Sequence, residues 1–290
     1  MASIVRQIRR LTLFEALLLC GLLLLAAFMS LPIVFIVNHA FKPFHELFLF
    51  PPTFLVKEPT LQNFHELFTR PVAKIVPFSR YLYNSVIVTS LSMFAVILSS
   101  CMAAYVLSKL KFGLKKVVMA TIMLALMFAP ETVSIPRYLI IGWLQLNNTY
   151  FGHILPFVAS PVAVFLIKQF IDQIPNELLE AAKIDGASEL RVFVRIIVPL
   201  TMPAIATIAI ITFQGVWGDT SASTLFMQDE TMKTLPYFIM TLTSAMNAGN
   251  SVAGQGMAAA AGLLMFLPNL IIFLFAQRRI METMVHSGVK

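Results

Sequence analysis

Six stretches of the chain, at about 11–37, 82–108, 117–141, 150–170, 199–217 and 256–277, are each long and apolar enough to cross a bilayer. No soluble core could take up that much apolar surface, so the available solvent is lipid. In hydrocarbon each segment must close its own backbone hydrogen bonds, which selects the α-helix. The expected architecture is therefore an all-α membrane protein of about six transmembrane helices. Composition agrees: 58% of the 290 residues are hydrophobic, 12% are charged and the mean hydropathy is +0.83, outside the range of soluble chains. Between the first two stretches lie Pro43, Pro51, Pro52, Pro59, Pro71 and Pro77, which predict a long loop with short helical pieces.

Arg6, Arg9 and Arg10 ahead of a leucine-rich run resemble a secretory signal. That run is too long, however, and Leu17-Leu18-Leu19 before Cys20 lacks the small residue of a lipoprotein cleavage site, so an uncleaved first helix is expected. Basic residues cluster in alternate connections: Arg6, Arg9 and Arg10; Lys109, Lys111, Lys115 and Lys116; Lys168, Lys183, Arg191 and Arg195; Arg278, Arg279 and Lys290. The short connections between them hold only Arg137, and Lys233 against Asp219, Asp229 and Glu230. This bias predicts both termini in the cytoplasm and the proline-rich loop outside. A net charge of +7 scattered in this way forms no basic stripe, which argues against a nucleic-acid partner. Cys20 and Cys101 fall inside apolar runs and read as buried thiols rather than a disulfide or metal site. Two stripes of small residues, Ala95-Ser99-Ala103 and Gly254-Ala258-Gly262, are expected to meet other helices.

The most polar stretch runs from Ile174 to Ser188. Pro175 suits a helix start, Glu177 and Glu180 complement its positive end, Ala181 and Ala182 favour the helix, and Gly186 can take the left-handed conformation that ends it. A second short helix is expected from Ser188 to Pro199. Two adjacent alanines on a helix lying along the membrane face suit docking of another surface.

Four residues are candidates for a solute path. Glu131 lies about 14 residues into the third stretch, roughly 21 Å along it, where an ionisable group either faces an aqueous path or pairs at a proline-kinked helix. Gln214, Trp217 and Asp219, near the end of the fifth, offer an aromatic face and polar groups suited to a sugar, with an interfacial anchor as the alternative for Trp217. Asn247, Gly249 and Asn250 sit in an outer segment of turn-forming composition. No Gly-x-x-x-x-Gly-Lys-Ser/Thr phosphate loop occurs, so no nucleotide cofactor is expected on this chain.

Glu180-Ala181-Ala182, three residues, Gly186, nine residues, then Ile196-Ile197-Val198-Pro199 resembles the EAA loop of binding-protein-dependent ABC importer permeases, with Val198 where leucine is usual. Phe41-Lys42-Pro43, Pro51-Pro52, Pro59-Thr60-Leu61-Gln62-Asn63-Phe64, Asn84-Ser85 and the tail Gln277-Arg278-Arg279 resemble the carbohydrate branch related to the maltose importer's smaller permease. In that branch an asparagine often follows the tryptophan, and Gly218 stands here.

The resemblance implies a type I ABC importer permease fold in the bacterial inner membrane. It implies a coupling role for Glu180, Ala181, Ala182, Asp185 and Gly186 against a cytoplasmic ATPase dimer, which uses the ATP and Mg. It further implies a second homologous permease, an external solute-binding protein entered by the segment around Asn247, Gly249 and Asn250, and a tail, Gly288 to Lys290, that reaches the ATPases. The corresponding division is 1–80 for the first helix and external loop, 81–282 for the core with its coupling segment at about 175–198, and 283–290 for the tail. Sugar is the expected solute. A polyol or glycerol phosphate importer and a stand-alone secondary transporter are the alternatives.

Overall fold

The computed structural model describes residues 12–47, 49–51, 53–69, 76–249 and 254–287, with the side chains of 245–249 and 276–287 set aside. Among the described residues all regular structure is helical. The chain divides into two compact units, Met1–Arg70 with Leu242–Leu264, and Pro71–Thr241 with Met265–Lys290.

In the first unit, α1 (Leu13–Phe41) begins with a capping box. Thr12 Oγ1 accepts the Glu15 amide at 3.3 Å and Glu15 Oε2 accepts the Thr12 amide at 2.8 Å, which satisfies two donors left over by the first turn. At the other end Asn63, in α3 (Gln62–Thr69), donates to the carbonyls of Ala40 and Lys42 at 3.0 and 2.8 Å. Between them lies the single turn α2 (Phe44–Leu47), whose Glu46 accepts the amides of Lys57 and Glu58 at 3.2 and 2.9 Å. These bonds brace the described part of the proline-rich segment from Ala40 to Asn63.

The second unit is organised around α4 (Phe78–Lys109), 32 residues and about 48 Å long, longer than the hydrocarbon it must cross. After it come α5 (Lys115–Ala125), α6 (Ser134–Trp143), α7 (Tyr150–Val158) and α8 (Pro161–Asp172). The polar α9 (Asn176–Ile184) follows, then α10, which starts as Glu189–Val192 and runs through a π segment, Phe193–Ile197, into Val198–Leu200. α11 (Met202–Trp217), α12 (Ser221–Phe226), α13 (Leu235–Gly249) and α14 (Gln255–Ser287) complete the chain. The core of this unit joins Val96, Ala104 and Tyr105 of α4 to Ile167 and Ile171 of α8 and to Ile197 and Ile208. Truncating a buried isoleucine of this kind to alanine costs about 2–5 kcal/mol.

Two expected spans are bent. α7 and α8 meet at 44°, and α10 and α11 at 76°. At the first bend Ser99 donates its hydroxyl to the Val158 carbonyl at 3.1 Å, so the Ala95-Ser99-Ala103 face meets another helix as predicted. At the second, Pro199 and Pro203 remove backbone donors, and the buried Thr201 returns its hydroxyl to the carbonyls of Ile197 and Val198 at 2.9 and 3.3 Å.

Three further expectations are corrected. The stretch 117–141 is not one span: α5 and α6 are separated by turns at 126–133 containing Pro130. Among the described residues, three helices are long and apolar enough to cross a membrane, five if each bent pair is one span. Of the thiols, Cys101 is buried but Cys20 is exposed on α1. Along the Gly254-Ala258-Gly262 stripe, a Cβ at Gly262 would meet open space, whereas one at Gly256 would lie 2.5 Å from Asn63 Oδ1. The close approach in the first unit is made off the predicted register.

Candidate functional site

The polar helix α9 is closed as the sequence predicts. Pro175 precedes it at φ −58° and ψ 141°, and Gly186 follows at φ +80°. The Gly186 amide donates to the Lys183 carbonyl at 3.0 Å and the Ala187 amide to that of Ala182 at 2.9 Å, the paired bonds of a Schellman stop. A Cβ at Gly186 would meet nothing within 4 Å. The requirement for glycine is therefore one of backbone conformation, not of space. Ser188 then caps α10, its hydroxyl accepting the Arg191 amide at 3.4 Å.

Helical periodicity gives α9 two faces. Leu179 is buried, 6% exposed, and Ala182 packs with it against the core. Leu178 and Ile184 are 49% and 86% exposed, and Glu180, Ala181 and Asp185 are also exposed. The two alanines that sequence reasoning assigned to one docking face are thus divided, Ala181 outward and Ala182 inward, because neighbours on a helix point about 100° apart. Leu190 is likewise 71% exposed on the short helix that follows. Leu178, Ile184 and Leu190 escaped the sequence reading; apolar residues in the most polar stretch of a membrane chain were the available signal.

Both ends of α9 are tied to α4. Lys109 Nζ donates to the Ile174 carbonyl at 2.5 Å and to Asn176 Oδ1 at 3.1 Å. Tyr105 Oη donates to Glu189 Oε2 at 2.6 Å, and Lys183 Nζ lies 2.5 Å from Glu189 Oε1.

A second feature has no α9 residue in its lining. Pro130, Glu131, Ser134, Arg137, Asp219 and Leu225 line a cleft of ≈ 220 Å³. Two of the four candidate path residues, Glu131 and Asp219, therefore share one concavity, joined by Arg137. Glu131 is exposed in the turn between α5 and α6, not within a span. The Asp219 carboxylate accepts the amides of Ser221 and Ala222 at 3.2 and 2.9 Å and so also starts α12. Gln214 is exposed on α11, apart from this lining. Trp217 is 4% exposed, stacks on Phe213 with ring centroids 5.5 Å apart, and donates its indole Nε1 to the Met265 carbonyl at 3.0 Å. Its ring is committed to packing, which removes it from the solute-facing candidates.

Asn84 anchors the long connection between α11 and α13. It is fully buried, donates to the carbonyls of Thr231 and Lys233 at 2.8 Å each, and accepts from Tyr150 Oη at 2.8 Å. Ser85 accepts the Leu235 amide at 2.8 Å, and His153 lies 3.0 Å from the Met232 carbonyl. Asn247 and Gly249 belong to the helical backbone of α13 rather than to a loop, while Asn250 and the tail Gly288 to Lys290 lie outside the described residues.

The family model for the binding-protein-dependent transport system inner membrane component matches residues 21–279, nearly the whole chain. The chain belongs to this family. Its members are inner-membrane components, so the protein is a multi-pass bacterial inner-membrane permease subunit. It is similar to the inner membrane ABC transporter permease protein YcjP of Escherichia coli, 29% identical over 93% of this chain and 95% of that one. The arabinooligosaccharides transport system permease protein AraQ of Halalkalibacterium halodurans is 29% identical over 94% of this chain and 96% of its own. The melibiose/raffinose/stachyose import permease protein MelC of Bacillus subtilis is 33% identical over 71% and 74%. Among solved structures, a bacterial ABC transporter for import of the acidic polysaccharide alginate aligns with a TM-score of 0.80 at 18% identity, covering 91% of this chain and 95% of that one, which establishes the fold.

Proposed function

We propose that this permease subunit conducts a sugar, an oligosaccharide or disaccharide, across the inner membrane by alternating access. A separate ATPase dimer, docked on α9 and using ATP and Mg, supplies the energy. The observation that carries the reading is the outward face of α9: Leu178, Ala181 and Ile184 are exposed on a helix stopped by a left-handed glycine and bolted to α4 at both ends. An exposed face of apolar and acidic side chains on a rigid helix suits a protein partner. Glu177 and Asp185 lie among the apolar residues of that face and Glu180 borders it, Ala182 holds its back to the core, and Gly186 ends it. Closure of the ATPases on nucleotide then moves α9 as a rigid body and rocks the spans.

In this reading the chain crosses the membrane six times and both termini are cytoplasmic. A second homologous permease completes the pore. An external solute-binding protein delivers the sugar, and the segment at Asn247, Gly249 and Asn250 faces it. The cleft with Glu131 and Asp219 offers carboxylates to sugar hydroxyls, with Gln214 as a further polar group along the path. Relatives named for arabinooligosaccharides and for melibiose, raffinose and stachyose support the choice of solute.

The test is purification of the tagged chain from its native membrane, followed by reconstitution. Stoichiometric co-purification of an ATPase and a second permease is expected, as is hydrolysis stimulated by one member of a panel of mono-, di- and oligosaccharides together with the binding protein. Solute accumulation by this polypeptide alone in vesicles would refute the reading.

A further inference from the structure

Gly186 gives α9 its stop, but a single exposed turn is a weak mechanical joint: residues 185–188 alone would let α9 and α10 swing relative to each other. Side chains cross that joint from both sides. Lys183, in the last turn of α9, and Glu189, first residue of α10, are paired at 2.5 Å over the turn. The other oxygen of Glu189 accepts from Tyr105 Oη at 2.6 Å. Tyr105 is 6% exposed, and its ring packs on Phe193 of α10 with centroids 5.5 Å apart. It also stands one turn before Lys109 on the same face of α4, the residue that holds Ile174 and Asn176.

Lys183 and Glu189 are 45% and 52% exposed, and so open a pair contributes little to stability. Its geometry does more. One carboxylate, with both oxygens occupied, bridges α9, α10 and α4, so a tilt of α9 either carries the end of α4 with it or breaks these bonds. We propose that Tyr105, Glu189 and Lys183 act as a positioning relay that converts displacement of α9 into movement of α4. The inference rests on the docking reading of α9 and adds to it the path by which force leaves that helix.

The test uses the whole reconstituted complex in a Cys20→Ser background carrying Ser134→Cys, a position in the cleft lining at the start of α6. Three quantities are read: co-purification of the ATPase, ATP hydrolysis, and the labelling rate of the new cysteine by a membrane-impermeant maleimide, without nucleotide and after trapping with ATP and orthovanadate. With Tyr105 intact, labelling changes on trapping. Tyr105→Phe keeps the ring, loses one hydrogen bond, and is expected to leave co-purification and hydrolysis unchanged while shrinking the nucleotide-dependent labelling change about fivefold. Lys183→Glu is expected to shrink it as well. Adding Glu189→Lys restores it, because the pair is re-formed and the Tyr105 oxygen can accept from the lysine.

An undiminished labelling change in Tyr105→Phe overturns the relay and leaves docking standing, as does a double reversal no better than Lys183→Glu. Failure of the unmodified complex to co-purify its ATPase, or labelling indifferent to nucleotide with Tyr105 intact, overturns the docking reading and the relay with it. If Tyr105→Phe fails to reach the membrane, Glu189→Gln, on the exposed side of the same bond, is read against the same outcomes.

Discussion

The indole of Trp217 donates to the backbone carbonyl of Met265 at 3.0 Å, joining the end of α11 to the final helix by a bond that a sugar would otherwise compete for. Trp217→Phe is therefore expected to act on stability. Loss of the bond and of part of the buried ring costs about 2 kcal/mol, seen as a lower melting temperature of the purified complex. The apparent affinity for the transported sugar stays unchanged. A selective loss of sugar affinity with unchanged melting would show the ring to be a solute contact after all.

Gly186 stands at φ +80° with open space where a side chain would go. A graded series follows. Gly186→Asn is tolerated, because asparagine visits the left-handed region most readily after glycine, Gly186→Ala costs about 1 kcal/mol, and Gly186→Val unwinds the stop of α9. The measurement is ATPase co-purification at equal membrane levels of the chain, which should fall in that order. Equal recovery with valine would separate the turn from docking.

Asn84 spends its amide on two carbonyls and accepts from a phenol in a fully buried site. Replacement by leucine strands those groups, with an expected loss on the order of 3 kcal/mol. The segment 227–234 should become a preferred site of limited proteolysis in Asn84→Leu and stay resistant in the parent.

At Glu46, burial alone would raise the carboxyl pKa, but the amides of Glu58 and Lys57, with Lys42 and His45 nearby, hold it below the usual carboxylate range. A carboxylate depressed in the folded state contributes stability above its unfolded pKa of about 4.3 and loses it as pH falls through the folded value. Exchange of the Lys57 and Glu58 amides, corrected for intrinsic rates, should therefore accelerate as the solution is acidified below about pH 4. In Glu46→Gln the pH dependence should disappear.

The sequence carried the helices and the stop of α9, since apolar run length, Pro175 and Gly186 are local properties. It was less informative where tertiary context overrides local pattern. Apolar residues continue on both sides of Pro130, so the turns at 126–133 looked like the middle of a span. The helix α13 went unrecognised because Asn247, Gly249 and Asn250 suggested a loop. Trp217 looked available because an aromatic near the end of a span suits a sugar or an interface equally, and only Phe213 and the Met265 carbonyl decide its role. The joining of Tyr105 to Glu189 across 84 positions has no local signature at all.

The opposed directions of Ala181 and Ala182 reach beyond this polypeptide. A bulky residue at 181 obstructs whatever sits on the outward face, so compensating mutations should arise in the gene for that neighbour. A bulky residue at 182 wedges α9, with Leu179, away from the core, and its suppressors should map inside this chain. Two adjacent codons would then yield revertants in different genes, a genetic sorting produced by a turn of about 100° between neighbouring side chains.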